Sequence, residues 1–204
     1  VGEISQPFSI KLKTMTKKVF KLDFDLEKLV DSMLASAYES VQYKIQQAIS
    51  NAKDSKLYGY IPTGAYTLVP IIQNILENNP DLSKIKFMDI GCGYPIIPKI
   101  MQILNCKEAK GLEIQDIYVN LDRSNTLIKG DILKYNFKEY DILYAYNPIR
   151  DQNLMDKGLE RIVKTMKPGA TFYFANAGGP KTEVFKLFKG YGSYWKYIKP
   201  KKLN

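Results

Sequence analysis

The sequence predicts an α/β fold, a doubly wound and mostly parallel sheet, on three observations. Apolar runs of strand length alternate with helix-period segments between residues 58 and 176. The run through Ile85, Phe87 and Met88 ends in an acid followed by alternate glycines, Asp89-Ile90-Gly91-Cys92-Gly93. Further along, Gly111-Leu112-Glu113-Ile114 repeats the pattern of a buried strand ending in an acid. A strand, a glycine turn, a helix and a second strand with a terminal carboxylate make a nucleoside-binding unit at the carboxyl edge of a parallel sheet. Ile96 stands where a dinucleotide fingerprint would need its third glycine, so that ligand class is disfavoured.

Each element follows in order. Residues 8–24 alternate apolar with polar, as a short hairpin or extended arm would. Asp23 or Asp25 is placed to cap a helix start. Leu26, Leu29, Val30, Met33, Leu34, Ala37, Tyr38, Val41, Ile45, Ala48 and Ile49 keep a helical period, which predicts one long amphipathic helix ending at Asn51–Ser55. The chain thus divides into an arm and helix (1–57) and a domain carrying the glycine turn (58–204).

That domain opens on a turn-rich loop, Tyr58-Gly59-Tyr60-Ile61-Pro62-Thr63-Gly64, with Thr63 a candidate helix cap. A helix over 64–78 is expected to bury Tyr66, Leu68, Val69, Ile72, Ile75 and Leu76. Strands are predicted at 85–90, 109–114, 126–128, 140–146 and 170–175, and helices at 95–105 and 153–166. Pro95 is expected at the first helical position, where its missing N–H is harmless. After Asn176 there is room for one helix (181–189) and one strand (193–198), so the C-terminal part should be abbreviated.

Composition removes several chemistries. The chain has no histidine, which excludes Ser-His-Asp and Cys-His catalysis and imidazole metal sites. Two cysteines, Cys92 and Cys106, are too few for a thiolate metal cluster, so no metal is expected. They point to a reducing compartment, and a cytoplasmic location is the expectation. No apolar run approaches the roughly 18 residues of a membrane span. The chain begins at Val1 rather than Met, and an upstream segment, an anchor included, is expected as an option. The net charge is +9, with lysines crowded at both ends. This suits a landing surface for nucleic acid, acidic protein or anionic lipid, and suits a merely soluble lysine-rich surface equally well.

Over residues 58–176 the pattern resembles the class I, seven-strand S-adenosylmethionine-dependent methyltransferases. Asp89, Gly91 and Gly93 match their acid-x-Gly-x-Gly turn, Glu113 the acid ending the second strand, and Asp131 the acid soon after the third. The resemblance implies a transferase with S-adenosyl-L-methionine as cofactor, bound through Asp89, Gly91, Cys92, Gly93, Glu113, Ile114, Asp131, Ile132 and Thr63. Glu113 would accept both ribose hydroxyls and Asp131 the exocyclic amine of adenine, while Asp89 would orient the turn or reach the amino group of the methionine moiety. The departure is Pro95, where the family usually has a third glycine; its ring and Tyr94 should crowd the helix start.

The acceptor is less legible. Tyr146-Asn147-Pro148-Ile149 carries the Asn-Pro of the base-amino methyltransferase motif without its second proline and aromatic, and equally reads as a plain strand end and turn. Tyr60-Ile61-Pro62-Thr63 resembles the Tyr-x-Pro-Thr segment of small protein lysine methyltransferases, and some DNA amino-methyltransferases have a similar Thr-Pro element, so it does not separate the two acceptors. These matches make Asn147, Pro148, Tyr146 and Tyr60 the candidate catalytic residues. They imply methyl transfer to an amine of a macromolecule, protein lysine slightly ahead of a nucleic-acid base. A degenerate domain serving as a binding or scaffold subunit is the non-enzymatic alternative.

Overall fold

The computed structural model describes residues 25–51, 61–175 and 183–201. The helices are α1 (Leu26–Asn51), α2 (Ala65–Asn78), α3 (Ile96–Ile103), α4 (Asp116–Leu121) and α5 (Gln152–Thr165). The strands are β1 (Lys86–Ile90), β2 (Glu108–Glu113), β3 (Leu127–Lys129), β4 (Ile142–Tyr146), β5 (Thr171–Ala175), β6 (Lys189–Gly190) and β7 (Trp195–Ile198). They form one sheet in the order β3-β2-β1-β4-β5-β7-β6. The pairs among β1 to β5 are parallel, and β7 runs antiparallel to both β5 and β6. The strand order reverses between β1 and β4, and their diverging carboxyl ends leave the crevice in which such sheets bind ligands.

The central strands are buried on both faces, as parallel strands under helical layers must be. Phe87, Ile142, Tyr144 and Tyr173 point into a layer shared with α1, α2 and α3. Met88, Ile90, Leu143, Phe172 and Phe174 point into the opposite layer, against Met155, Leu159 and Ile162 of α5. Helix α1 is one amphipathic element, as its period predicts. Asp25 caps it, accepting from Lys28 N at 3.2 Å, while Asp23 lies outside the described residues. Leu26, Val30 and Ala37 join the core under α2, and Val41 and Ile45 pack on Tyr118 of α4.

The structure corrects the sequence reading in four places. Tyr66 is 86% exposed and Tyr38 51% exposed, so neither belongs to a buried stripe; the stripe of α2 is Leu68, Ile71, Ile72, Ile75 and Leu76, a strict helical period that leaves Tyr66 on the far side. Helix α4 was not foreseen, because six residues with one buried side chain carry no readable period. Pro95 is the N-cap of α3 rather than its first helical residue. Where a helix over 181–189 was foreseen, the described residues form a short 3-10 helix, Glu183–Leu187, followed by β6. Its Phe185 packs edge-on to Trp195 at 4.7 Å and to Phe174 at 6.2 Å, so aromatic packing on the sheet rather than helix propensity sets its path. The two residues of β6 then complete seven strands, one more than the single strand expected after Asn176, and among the described residues the shortening falls on β6.

Gly111, the β2 partner of Asp89, joins this frame to the turn after β1. A Cβ there would lie 2.5 Å from Cys92 Sγ and 2.7 Å from Leu127 Cδ2. Gly111→Ala overpacks the joint and should cost about 1–3 kcal/mol, read as a lower urea midpoint at unchanged slope.

Candidate functional site

Beyond β1 the chain must turn sharply without side chains in the way. Gly91 (φ +68°) and Gly93 (φ +59°) both adopt the left-handed conformation that glycine takes without penalty. The amides of Gly91 and Cys92 donate to Leu112 O at 2.9 and 3.1 Å, which holds the turn against the end of β2. A Cβ on Gly91 would stand 2.4 Å from Pro148 Cβ. The turn after β1 and the loop after β4 are therefore in van der Waals contact, and only glycine permits it. Asn147, just before Pro148, is itself left-handed (φ +43°), a conformation that asparagine tolerates better than most residues.

These two turns, the end of β2, the segment after β3 and the start of α5 enclose a cleft of about 700 Å³, within the range of about 300–1,000 Å³ of small-molecule sites. Glu113 is buried in it at 4% exposure. Its Oε2 accepts from Gly93 N at 2.7 Å, and its Oε1 accepts from Ile114 N and Gln115 N, each at 2.8 Å. Burial pushes its carboxyl up, against the pull of these three amides. Three of about four acceptor sites of the carboxylate are thus occupied by backbone. Asp131 sits across the cleft, its Oδ1 accepting from Leu133 N at 2.9 Å and its Oδ2 3.9 Å from Lys134 Nζ. Ile114, 60% exposed, and the buried Ile132 are apolar linings between these acids.

A second, smaller cavity of about 20 Å³ adjoins the cleft and shares Ile61, Gly91, Cys92 and Tyr146 with it. Asp89 lines it, 4% exposed. Burial raises the Asp89 carboxyl to about 7; the hydrogen bond from the Cys92 thiol lowers it, and the neighbouring charge of Glu113 raises it further. The Cys92 thiol is itself pushed well up, by burial first and then by Asp89, so it is an inert donor and not a nucleophile.

Gly91, Cys92, Gly93, Glu113, Ile114, Asp131, Ile132, Tyr146, Asn147 and Pro148 all line the main cleft, and Asp89 and Thr63 line the smaller cavity. Tyr60 and Tyr58 lie outside the described residues. Pro95 is buried but lines neither space, so the expected crowding does not reach the cleft; Tyr94 reaches only the small cavity. Sequence reasoning missed Tyr118, hidden in the unforeseen α4, and Arg150, which belongs to no motif; both line the cleft. Thr63 does not cap α2, whose N-cap is Gly64 with no side-chain cap.

This architecture, seven strands with one reversed and a glycine turn at the switch point, is the fold of the class I S-adenosylmethionine-dependent methyltransferases. Among solved structures, the chain is similar to the N-methyltransferase NodS from Bradyrhizobium japonicum in complex with S-adenosyl-L-homocysteine, at 14% identity and a TM-score of 0.51, covering 81% of this chain and 99% of NodS. It is also similar to an RNA methyltransferase from Salinibacter ruber, at 15% identity and a TM-score of 0.49, covering 71% of this chain and 97% of that one. No protein-family model matches the chain. No curated protein matches it either.

The buried Asp89 makes a testable demand on stability. A carboxyl raised from 3.8 to about 7 in the folded state binds its proton more tightly there than in the unfolded chain. Its contribution is therefore full below about pH 4 and lost as pH rises through 7. Asp89→Asn escapes that loss. The unliganded variant should match wild type near pH 4 and exceed it at pH 8 by roughly 2–4 kcal/mol, which scanning calorimetry across pH will read.

Proposed function

We propose that the protein is an S-adenosylmethionine-dependent methyltransferase acting on an amine of a macromolecule, with protein lysine ahead of a nucleic-acid base. The observation that carries this reading is the charge of the cleft. Glu113, Asp131 and Asp151 line it, against Arg150 as its one basic lining residue among the described residues, and Asp89 stands in the adjoining cavity. Such a lining repels a pyrophosphate and favours a nucleoside carrying positive charge. The sulfonium of S-adenosylmethionine is such a group, and its chemistry supplies an electrophilic methyl.

The residues suit the cofactor's parts. The glycine turn gives a nucleoside close access to backbone, and no phosphate cradle is needed. Glu113 has one acceptor site open on Oε2, enough for one ribose hydroxyl. Accepting both hydroxyls requires it to release the amide of Ile114 or Gln115. Asp131 would serve the adenine end, with Ile114 and Ile132 as apolar lining. Asp89 is placed for the amino group of the methionine arm. Asn147 and Pro148, held against the glycine turn through Gly91, would set the acceptor amine in line with the methyl. The acidic lining also favours a cationic lysine side chain over a phosphate-bearing strand. Residues 1–57 would then be an arm and helix on a methyltransferase domain of 58–204. Among the described residues no helix is long and apolar enough to cross a membrane, which leaves a cytoplasmic location as part of the proposal.

Calorimetric titration with S-adenosyl-L-homocysteine tests the cofactor. Wild type should bind, Glu113→Ala about 10- to 100-fold more weakly, and Glu113→Gln in between because it keeps the side chain's length. No binding by wild type, or unchanged binding by Glu113→Ala, would sink the assignment. For the acceptor, labelled methyl transfer into cell lysate should be lost on protease treatment; label that survives protease and falls to nuclease transfers the reading to a base. Asn147→Ala should lower kcat at least tenfold while the homocysteine product binds within about twofold of wild type.

A further inference from the structure

Thr63 directly precedes Gly64, the N-cap of α2, and that helix has no side-chain cap. Glycine at the N-cap costs a helix only a few tenths of a kcal/mol against Ser, Thr, Asn or Asp. The threonine hydroxyl is engaged elsewhere. Thr63 Oγ1 lies 2.5 Å from Tyr144 Oη, a bond between two buried side chains 81 positions apart. The bond ties the segment before α2 to the centre of the sheet.

The tie sits where a ligand would notice it. Tyr144 is the β4 partner of Asp89 on β1, and both lie on the sheet face covered by α2 and α3. Thr63, Tyr144 and Asp89 all line the cavity of about 20 Å³, room for one water-sized group. A primary ammonium is of that size and offers three donors. Asp89 supplies charge and Thr63 Oγ1 a second acceptor, while the rings of Tyr94 and Tyr146 wall the space, as suits a cation. Ile61 lines both spaces, so the segment held by Thr63 also forms part of the rim of the main cleft.

We propose that Tyr144 is a positioning residue. Through Thr63 it fixes the Ile61–Thr63 segment over the small cavity, and so makes the cleft select nucleosides whose sulfur-bound arm carries a primary ammonium. The proposal rests on the S-adenosylmethionine reading and adds to it a determinant of tail specificity. Without the tie, the cavity wall loosens. Glu113 and Asp131, at the adenosine end, keep their backbone partners.

Two probes separate tail from nucleoside: S-adenosyl-L-homocysteine, and 5′-methylthioadenosine, which lacks the amino-acid arm. Calorimetric titration of Tyr144→Phe and Thr63→Val should show the first weakened about tenfold, the loss of one buried hydrogen bond, and the second unchanged within about twofold. Thr63→Ser, which keeps the hydroxyl, should restore the ratio of the two affinities to the wild-type value. The double variant Tyr144→Phe/Thr63→Val should lose no more than Thr63→Val alone, because Tyr144→Phe removes only a bond that Thr63→Val already removes. Equal weakening of both probes, or weakening of neither, overturns the proposal. Should Tyr144→Phe fail to fold, the two Thr63 variants decide between the same outcomes. Wild-type protein that binds neither probe refutes the cofactor reading itself, a different failure from an unchanged ratio.

Discussion

The site depends on one steric constraint, the close approach of two turns at the edge of the sheet. Gly91 touches Pro148, and Gly111 touches Cys92, with no room for a β-carbon at either glycine. These contacts fix the distance between the turn after β1, the end of β2 and the loop after β4. The volume of the cleft and the aim of its carboxylates follow from that distance. Glu113 then secures the turn from inside. Its side chain reaches back to Gly93 N while also holding the two amides that follow it. Aspartate, one methylene shorter, would be hard pressed to span both. The same carboxylate that would meet a ribose is thus a brace of the turn.

The electrostatics of the site are those of a cleft prepared for positive charge. Asp89 and Glu113 are both buried, and burial raises both. A cation entering between them replaces the water that burial removed and lowers both carboxyls together. Binding near neutral pH would then release a proton from Asp89. The lysine-rich exterior of the chain and its acid-lined cleft accordingly face different tasks, and the net charge of +9 says little about the ligand.

Much of the fold was legible because its signals are local. Strands buried on both faces read as apolar runs, and the glycine turn with its flanking acid announces a switch point in a few residues. Helix α1 declared itself through one unbroken period. The parts that were not legible are set by tertiary contacts. Tyr66 has the composition of a buried face and is exposed, because α2 turns another side to the sheet. Helix α4 is too short for a period, and the 3-10 turn at Glu183–Leu187 is shaped by aromatic packing on β5 and β7. Within the site, Glu113, Asp131 and the glycines stood out by position in a motif. The Thr63–Tyr144 bond did not, since no spacing rule relates residues that far apart, and Thr63 read locally as a cap.

Helix α1 looks in sequence like an attachment, yet Val41 and Ile45 pack on Tyr118, and Tyr118 lines the cleft. The helix therefore supports the cleft wall from behind. Were α1 to undock, that wall would lose its backing, and apparent affinity scales with the fraction of molecules in which a site is formed. Whatever loosens or tightens α1, far from any ligand atom, would tune the site without altering a single residue within it.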